Sequence, residues 1–133
     1  MVERHPSELI INDLFIEGQG LPRSNRLTHA ANFDHVFKHA QRSRDRFFTI
    51  LYCHNDLGYP RLGLAIAKKR IRHAVARNRL KRIIRNSFRH AKNQLLGVDI
   101  VIMARDQSEP AVNRDLFASL EQHWRAVART NRT

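Results

Sequence analysis

The chain has 133 residues, of which 42% are hydrophobic, and a formal net charge of +12. This length suits one domain with a packed core, and the apolar content argues against wholesale disorder. The chain contains no apolar run of about 18 residues and no secretory signal pattern, and Cys53 is its only cysteine. We therefore expect a soluble cytoplasmic protein with no internal disulfide and no membrane partner.

The excess positive charge is confined to one stretch of the chain. Between Asp56 and Asp99 there is no acidic residue, and these 42 positions hold 12 of the 24 lysines and arginines. The rest of the chain carries 12 basic and 12 acidic side chains. A focused cationic surface on an otherwise neutral protein is typical of a protein that binds a polyphosphate such as nucleic acid.

Residues 1–22 are predicted to form an N-terminal extension, and residues 23–133 a single domain. The extension is acidic and has an apolar cluster between Leu9 and Ile16, followed by a segment that contains Gly and Pro. The sequence leaves two interpretations of this cluster open. It docks on the domain or on a neighbour, or it is disordered.

The first half of the domain is predicted to contain one helix and two strands. Thr28 can cap a helix whose apolar positions run to Ala40, and residues 42–46 form a polar break. Aromatic and β-branched residues then predict a strand over residues 47–53, and a second strand covers residues 61–67. The Asn, Asp, Gly and Pro residues between the two strands predict a hairpin turn.

The second half is predicted to be helix, strand, helix. The first of these helices runs from about Ala74 to Leu96 and is stopped by Gly97. The strand covers residues 98–104, and the last helix starts at Pro110 and ends near Arg129. The order α-β-β-α-β-α predicts an α+β fold in which helices pack on a small mixed sheet.

The helix that begins at Ala74 is predicted to have one apolar side and one basic side. Arginines one turn apart match the spacing of phosphates along an RNA strand, and a guanidinium can bridge two phosphate oxygens. A side built for solubility would mix in acidic residues, which form i,i+4 ion pairs, but this segment has none. The outward residues are expected to be Asn78, Lys81, Arg82, Arg85 and Arg89, with Arg77 and Arg79 on the two edges.

Other residues whose side chains could bind a metal or act in catalysis are interpreted as structural. His35 and His39 lie one helical turn apart, but no Cys or carboxylate completes a zinc set, so they are interpreted as part of a solvated face. Cys53 is interpreted as a small buried residue of a strand and Trp124 as a core residue. Asp99 alone is weak evidence for catalysis, and we predict no catalytic or metal-binding residue in the protein.

The segment GLAIAKKRIRHAVARNRLKRIIRNSFR, residues 63–89, resembles the signature of the protein component of bacterial ribonuclease P. The shared pattern is a strand that ends in Lys-Lys, followed by a helix with Arg-Asn-Arg and further basic residues. The resemblance runs from about Leu21 to Val127 and includes the first helix, the VDIVIMAR strand and the last helix. It implies a fold similar to the second domain of ribosomal protein S5.

The resemblance also implies partners and a reaction. In this family the protein is an accessory subunit, and a large RNA removes the 5′ leader of precursor tRNA with Mg²⁺ held mainly by that RNA. The implied partners are the catalytic RNA and precursor tRNA, with no obligate protein partner. The resemblance and the charge pattern together assign RNA contacts to Lys68, Lys69, Arg70, Arg72, Arg77, Asn78, Arg79, Lys81, Arg82, Arg85 and Arg89.

A cleft between the first helix and the sheet receives the single-stranded leader in this family. One of Phe33 and Phe37 is expected to line the cleft and the other to be structural. The full set of side chains assigned to the cleft is Phe33, Phe37, Phe48 and Arg46. Strand alternation also places Leu51 where the family often has an aromatic residue, and stacking on aromatics suits leaders of varied sequence.

Two other functions stay open on the sequence alone. One is a ribosomal protein or RNA chaperone without any link to cleavage. The other is a self-sufficient nuclease, which would need two histidines and a lysine, or carboxylates clustered around metal ions.

Overall fold

The computed structural model describes residues 21–131, so most of the predicted N-terminal extension lies outside the described residues. The elements are α1 (Ala30–His39), β1 (Gln41–Arg44), β2 (Phe48–His54), β3 (Arg61–Leu64), α2 (Ala74–Ala91), β4 (Val98–Ala104) and α3 (Asn113–Asn131). They form a four-stranded mixed sheet with helices packed on it, which confirms the predicted α+β class. Over residues 21–131, the helices are too short or too polar to cross a bilayer.

The sheet has the strand order β1-β2-β4-β3, which places β4 between the two strands that precede α2. β4 is antiparallel to β2 and parallel to β3. The prediction of a hairpin over residues 55–60 is therefore wrong, because β2 and β3 do not pair with each other. Turn residues show that the chain reverses, but they do not show whether a later strand inserts between the two arms.

β1 is a strand that the sequence analysis missed, since it lies in the segment predicted to be a polar break. Its sequence is Gln-Arg-Ser-Arg, and it forms an antiparallel hairpin with β2 at the edge of the sheet. An edge strand has one open side, and charged side chains there discourage pairing with another molecule. Such a strand needs few apolar residues, so the usual strand signal is absent.

The helix ends differ from the predictions by a few residues. α1 begins after His29 at the N-cap position, with no side-chain cap hydrogen bond, so the prediction of Thr28 as the cap is wrong. α2 ends at Ala91, before the predicted Leu96, and passes into a short 3-10 turn, so Gly97 does not stop the helix directly, although its φ of 71° is left-handed. α3 begins at Asn113, three residues after Pro110.

α2 and α3 pack together in one layer. The Trp124 indole N–H donates to Ser87 Oγ at 2.7 Å, and the Trp124 and Phe88 rings meet edge to face with centroids 5.9 Å apart. Tyr52 Oη donates to Thr130 Oγ1 at 3.4 Å, which places Tyr52 on the sheet face under α3. Because side chains alternate along a strand, Phe48 lies on this face as well.

α1 packs against the opposite face of the sheet. Phe33 is fully buried there, directly over Gly63 of β3. A Cβ atom at position 63 would lie 2.6 Å from Phe33 Cζ, so only glycine lets the ring approach this closely. Leu51 lies on this face too, because it pairs with Val101, which in turn pairs with Gly63.

We predict that Gly63→Ala lowers the free energy of unfolding by about 1–3 kcal/mol, since the added methyl group must displace a buried ring. Urea denaturation of the wild type and the variant measures this cost. In a Phe33→Leu background the side chain at position 33 is shorter, so the same glycine substitution should cost less. An equal cost in both backgrounds would show that the contact between Gly63 and Phe33 does not limit the approach of α1.

Candidate nucleic-acid interface

The exposed side of α2 and the turn before it form one basic surface. The apolar side of the helix, which includes Leu80, Ile84 and Phe88, is buried. On the other side Asn78, Arg82 and Arg89 are exposed, as predicted. We use the term basic surface for the exposed or half-buried residues Lys68, Lys69, Arg70, Arg72, Arg77, Asn78, Arg79, Arg82, Arg85 and Arg89.

The turn between β3 and α2 presents four of these cations. The side chain of Ile71 is fully buried and anchors the turn to the core. The Ala67 carbonyl accepts hydrogen bonds from the N–H groups of Arg70 and Ile71, at 3.0 and 3.1 Å. Arg70 lies 3.8 Å from Asp106, but both groups are exposed, so this ion pair contributes little to stability.

Lys81 does not lie on the outward side, and its predicted placement there is wrong. Its residue surface is only 2% exposed. An α-helix turns by about 100° per residue, so Lys81 lies close to the direction of Phe88, seven residues later, and not opposite to it. A lysine stem can pack along apolar neighbours, which makes this position compatible with burial.

Arg77 and Arg79, the two arginines of the Arg-Asn-Arg motif, are half-buried and bind the protein's own backbone. Arg77 Nη1 donates to the carbonyls of Ile71 and Arg72, both at 2.9 Å. Arg79 donates from Nε to Asn113 Oδ1 at 3.0 Å and from Nη1 to the Glu109 carbonyl at 3.1 Å. It also donates from Nη2 to the Ala111 carbonyl. Asn78, between them, is exposed.

The second candidate surface is the cleft between α1 and the sheet, and two of its four predicted side chains are buried. Phe48 is fully buried and lies on the face under α3, so its assignment to the cleft is wrong. Phe33 is fully buried beneath α1. Phe37 lies one helical turn later and is half-buried against the core, which leaves it as the aromatic residue at the cleft.

The register of the sheet identifies further cleft residues. Leu51 lies on the sheet face under α1, as strand alternation predicted, but it is buried, and the paired residues Thr49 and Met103 are half-exposed on the same face. Arg42 pairs with Leu51 and Arg44 with Thr49, so both arginines of β1 belong to this face. Neither arginine was predicted at the cleft, because β1 was not recognised as a strand. The alternating Arg-Ser-Arg pattern after α1 was the available signal.

Arg46 lies at the end of the hairpin that joins β1 and β2. Its side chain is exposed, and its guanidinium carbon lies 4.8 Å from the centroid of the Phe47 ring. A cation above an aromatic face at this distance is attracted by the ring. The hairpin therefore carries a third arginine beside the two of β1.

Asp45 holds this hairpin against α3. Its Oδ1 accepts the N–H groups of Phe47 and Phe48, both at 2.9 Å. Its Oδ2 accepts the Ser119 hydroxyl and lies 3.2 Å from His123 Nε2. Burial raises the pKa of Asp45, but the hydrogen bonds from Ser119, Phe48 and Phe47 and the nearby His123 outweigh burial and hold it below its usual value.

Ser43, His123 and Asp45 have the composition of a hydrolase triad, but their placement is structural. Ser43 Oγ lies 2.7 Å from His123 Nδ1. His123 belongs to α3 and is 4% exposed, so the group lies between α3 and β1 and not in an open cleft. A triad serine must reach a substrate carbonyl, and this one faces the helix.

Asp99 has a structural role as well. It accepts Arg61 Nε at 2.9 Å and Arg61 Nη2 at 2.7 Å, and Asn55 Nδ2 donates to it at 2.7 Å. The hydrogen bonds to Asp99 raise the pKa of Arg61 against the opposing effect of burial. This bidentate pair joins β3 to β4.

The two histidines of α1 lie close together on the surface. The rings of His35 and His39 have centroids 4.6 Å apart, and both residues are exposed. Over the part of the chain that the structure describes, no three His, Cys, Asp or Glu side chains come together as a metal site.

Comparison with known proteins identifies the family. A family model described as Ribonuclease P matches residues 21–128. The ribonuclease P protein component of Methylococcus capsulatus is 45% identical over 113 residues, which cover 85% of this chain and 88% of the relative. The chain belongs to the ribonuclease P protein family. The corresponding protein of Chromohalobacter salexigens is 42% identical over 110 residues, 82% of this chain and 86% of the relative.

Solved structures of ribonuclease P proteins agree with this fold. The Staphylococcus aureus protein is 31% identical, with a TM-score of 0.69 over 74% of this chain and 90% of that one. The Thermotoga maritima protein is 28% identical, with a TM-score of 0.68 over 74% of this chain and 94% of that one. The resemblance seen in residues 63–89 is confirmed. The chain is a protein component of a tRNA-processing endoribonuclease.

We predict that Asp45→Asn lowers the melting temperature by about 3–6 °C at pH 7, because the charge-assisted hydrogen bonds to Ser119 and the hairpin are weakened. A carboxyl group whose folded pKa is depressed stabilises the fold above its unfolded pKa, near 3.9. That stability is lost as the pH falls through the folded pKa. Calorimetry from pH 7 to pH 2.5 should therefore show the two proteins converging in acid, and a constant difference would contradict the ionised state assigned to Asp45.

Proposed function

We propose that this protein is the subunit of ribonuclease P that binds both the catalytic RNA and the 5′ leader of precursor tRNA. In this role it assists the Mg²⁺-dependent removal of the leader in the cytoplasm, which produces the mature 5′ end of tRNA. The RNA carries out the hydrolysis, and the protein contributes binding and orientation. The observation that carries the proposal is the basic surface on α2 and on the turn before it.

The chemistry of the basic surface favours a large polyphosphate partner. The segment from residue 57 to residue 98 contains no acidic residue, so no carboxylate within this stretch neutralises its cations. Asn78 and Arg82 are exposed on α2, and Lys68, Lys69 and Arg72 are exposed before it. Neutralising phosphates with such residues releases counterions, which drives binding without regard to RNA sequence.

The cleft supports a second RNA contact at the same time. α2 packs with α3 on one side of the sheet, and α1 packs on the other side. Phe37 offers a half-exposed ring in the cleft, and Arg42 and Arg44 line its edge on β1. Stacking of a base on an aromatic ring contributes about 1–3 kcal/mol and tolerates any base, which suits a leader of varied sequence.

Magnesium belongs to the RNA in this proposal. The family resemblance supports that assignment. The two buried or half-buried carboxylates with several hydrogen bonds have structural tasks. Asp99 binds Arg61, and Asp45 holds the hairpin. Neither Asp99 nor Asp45 is therefore assigned to Mg²⁺, and no step of the reaction is assigned to an ion held by the protein.

We predict that mixing the purified protein with the catalytic RNA restores cleavage of precursor tRNA at low Mg²⁺ concentration, where the RNA alone is poor. The expected product is the tRNA with a mature 5′ end plus the intact leader. Gel electrophoresis of end-labelled substrate measures the rate with RNA alone, protein alone and both together.

The three arms of this assay separate the functions that the sequence left open. Cleavage by the protein alone would identify a self-sufficient nuclease and contradict the proposal. No effect of the protein on the RNA-catalysed rate would favour an RNA-binding role unconnected to cleavage.

We also predict a strong dependence of RNA binding on salt. If the basic surface neutralises about five phosphates, the logarithm of the affinity should fall with the logarithm of salt concentration with a slope of about −3.5 to −4.5. Arg82→Ala should make this slope smaller in magnitude by about 0.7–0.9, because one phosphate contact is lost. Filter binding of the catalytic RNA over a range of KCl concentrations measures the slope.

Arg125→Ala is the matched control for this measurement. Arg125 is an exposed arginine of α3 that pairs with Glu121 in its own helix at 3.4 Å and is not one of the residues of the basic surface. Its removal changes the net charge of the protein by the same amount and should leave the slope unchanged. Equal effects of the two substitutions would show that RNA responds to the overall charge and not to this surface.

A further inference from the structure

Arg77 and Arg79 differ from the other cations of the basic surface in where their guanidinium groups point. We propose that these two arginines are positioning residues and not phosphate ligands. In this inference, which rests on the proposed function, they hold the two turns beside the start of α2 in the arrangement that RNA binds.

Arg77 fixes the turn before α2. Both N–H groups of its Nη1 are directed at the carbonyls of Ile71 and Arg72, at 2.9 Å each. This turn carries Lys68, Lys69, Arg70 and Arg72 within five residues, and like charges so close together repel one another. A charge-assisted hydrogen bond to each of two adjacent carbonyls holds the backbone at the point where the Arg72 side chain leaves it.

Arg79 fixes the turn before α3. Its guanidinium reaches three acceptors in residues 109–113, namely the carbonyls of Glu109 and Ala111 and the side chain of Asn113. His73 Nδ1 lies 3.0 Å from Glu109 Oε2 and adds a second contact between the same two segments. The start of α3 is therefore held beside the start of α2.

This contact extends the surface that faces RNA. Val112, Asn113 and Arg114 are exposed at the start of α3, and Val75 and Asn78 are exposed on the first turns of α2. Because Arg79 joins the two helix starts, these five exposed residues belong to neighbouring segments. Arg114 brings a further cation to these segments, and the two valines offer apolar contact for sugars or base faces.

The internal hydrogen bonds argue against phosphate binding by the same groups. Three of the five N–H groups of Arg79 already have acceptors, and Nε is one of them, which removes the edge formed by Nε and Nη2 from bidentate phosphate recognition. Turning the side chain outward would leave the carbonyls of Glu109 and Ala111 without this donor. Arg82, one turn further on, is exposed and faces no such conflict.

Charge-conserving substitutions separate positioning from phosphate contact. Arg79→Lys keeps the charge but loses the planar fork, and Arg77→Lys does the same at the other turn. A phosphate ligand replaced by lysine keeps most of its salt-dependent binding. If the arginine is a positioning residue, the lysine variant should lose nearly as much RNA affinity as Arg79→Ala or Arg77→Ala. Asn113→Ala removes one acceptor of Arg79 without any change of charge.

The experiment combines amide hydrogen exchange of the free protein with binding of the catalytic RNA over a range of KCl concentrations. For Arg79→Lys and Arg79→Ala we expect exchange at residues 109–113 to accelerate about tenfold and RNA affinity to fall about tenfold in both. The salt slope of Arg79→Lys should equal that of the wild type. Arg77→Lys should show the same pattern at residues 70–73, and Asn113→Ala a smaller effect in the same direction as Arg79→Ala.

Several outcomes would overturn the inference. RNA binding by both lysine variants at wild-type affinity, with a smaller slope in the alanine variants, would show that the arginines contact phosphate. Faster exchange with unchanged RNA affinity would show a purely structural role. Arg82→Ala is the control. If it reduces the salt slope while the lysine variants bind normally, only the positioning role fails. If the wild-type protein does not bind the RNA at all, the proposed function itself fails.

Discussion

The position of β4 between β2 and β3 is the constraint on which the rest of the structure depends. All seven residues of β4 pair with β2 on one side, and four of them pair with β3 on the other. Because the chain reaches β4 only after α2, this helix must cross from one end of the sheet to the other before the centre of the sheet can form. The crossover requires that one side of α2 be apolar and pack inward. The outer side of the helix can then carry charged residues.

In this arrangement each side of the small sheet carries one of the two proposed RNA-binding surfaces. On one side, the joint of Trp124, Ser87 and Phe88 locks α2 and α3 into a layer whose outer surface is basic. On the other side, the missing side chain at Gly63 lets α1 lie close to the sheet, with Phe33 fully buried and Phe37 half-buried. Asp45 connects the two sides, since it anchors the β1–β2 hairpin of the cleft to α3. The two proposed RNA contacts are thus joined by a few specific interactions.

Local patterns in the sequence were enough to predict the class of fold and the basic side of α2. The alternation of apolar and basic residues sets the direction of Asn78 and Arg82, and the apolar run from Ile100 to Ala104 marks β4 as a buried strand. Lys81 was misplaced because it lies at the border of the two sides, where a helical pattern alone does not decide burial. Phe48 was assigned to the wrong face, because only tertiary packing decides which side of β2 faces α1.

Long-range pairing was beyond the reach of the sequence. Nothing local in residues 55–60 indicates that β4 will insert between the arms of the turn, and the polar edge strand β1 resembles a loop in composition. The inward direction of Arg77 and Arg79 was not predictable from the sequence for the same reason, because it depends on tertiary structure. Their acceptors lie in the turn before α2 and in a segment 30 or more residues away, and a motif of basic residues does not show which of its members face the protein.

The environment of Cys53 has a practical consequence for spectroscopy. Burial raises the pKa of this thiol, and the nearby charge of Asp99 raises it further against the opposing effect of Arg61. The thiolate is the form that attacks maleimide dyes, so the only native cysteine of the chain reacts slowly near neutral pH. A cysteine introduced at an exposed site could therefore be tagged selectively for single-molecule fluorescence, with the native thiol left in place.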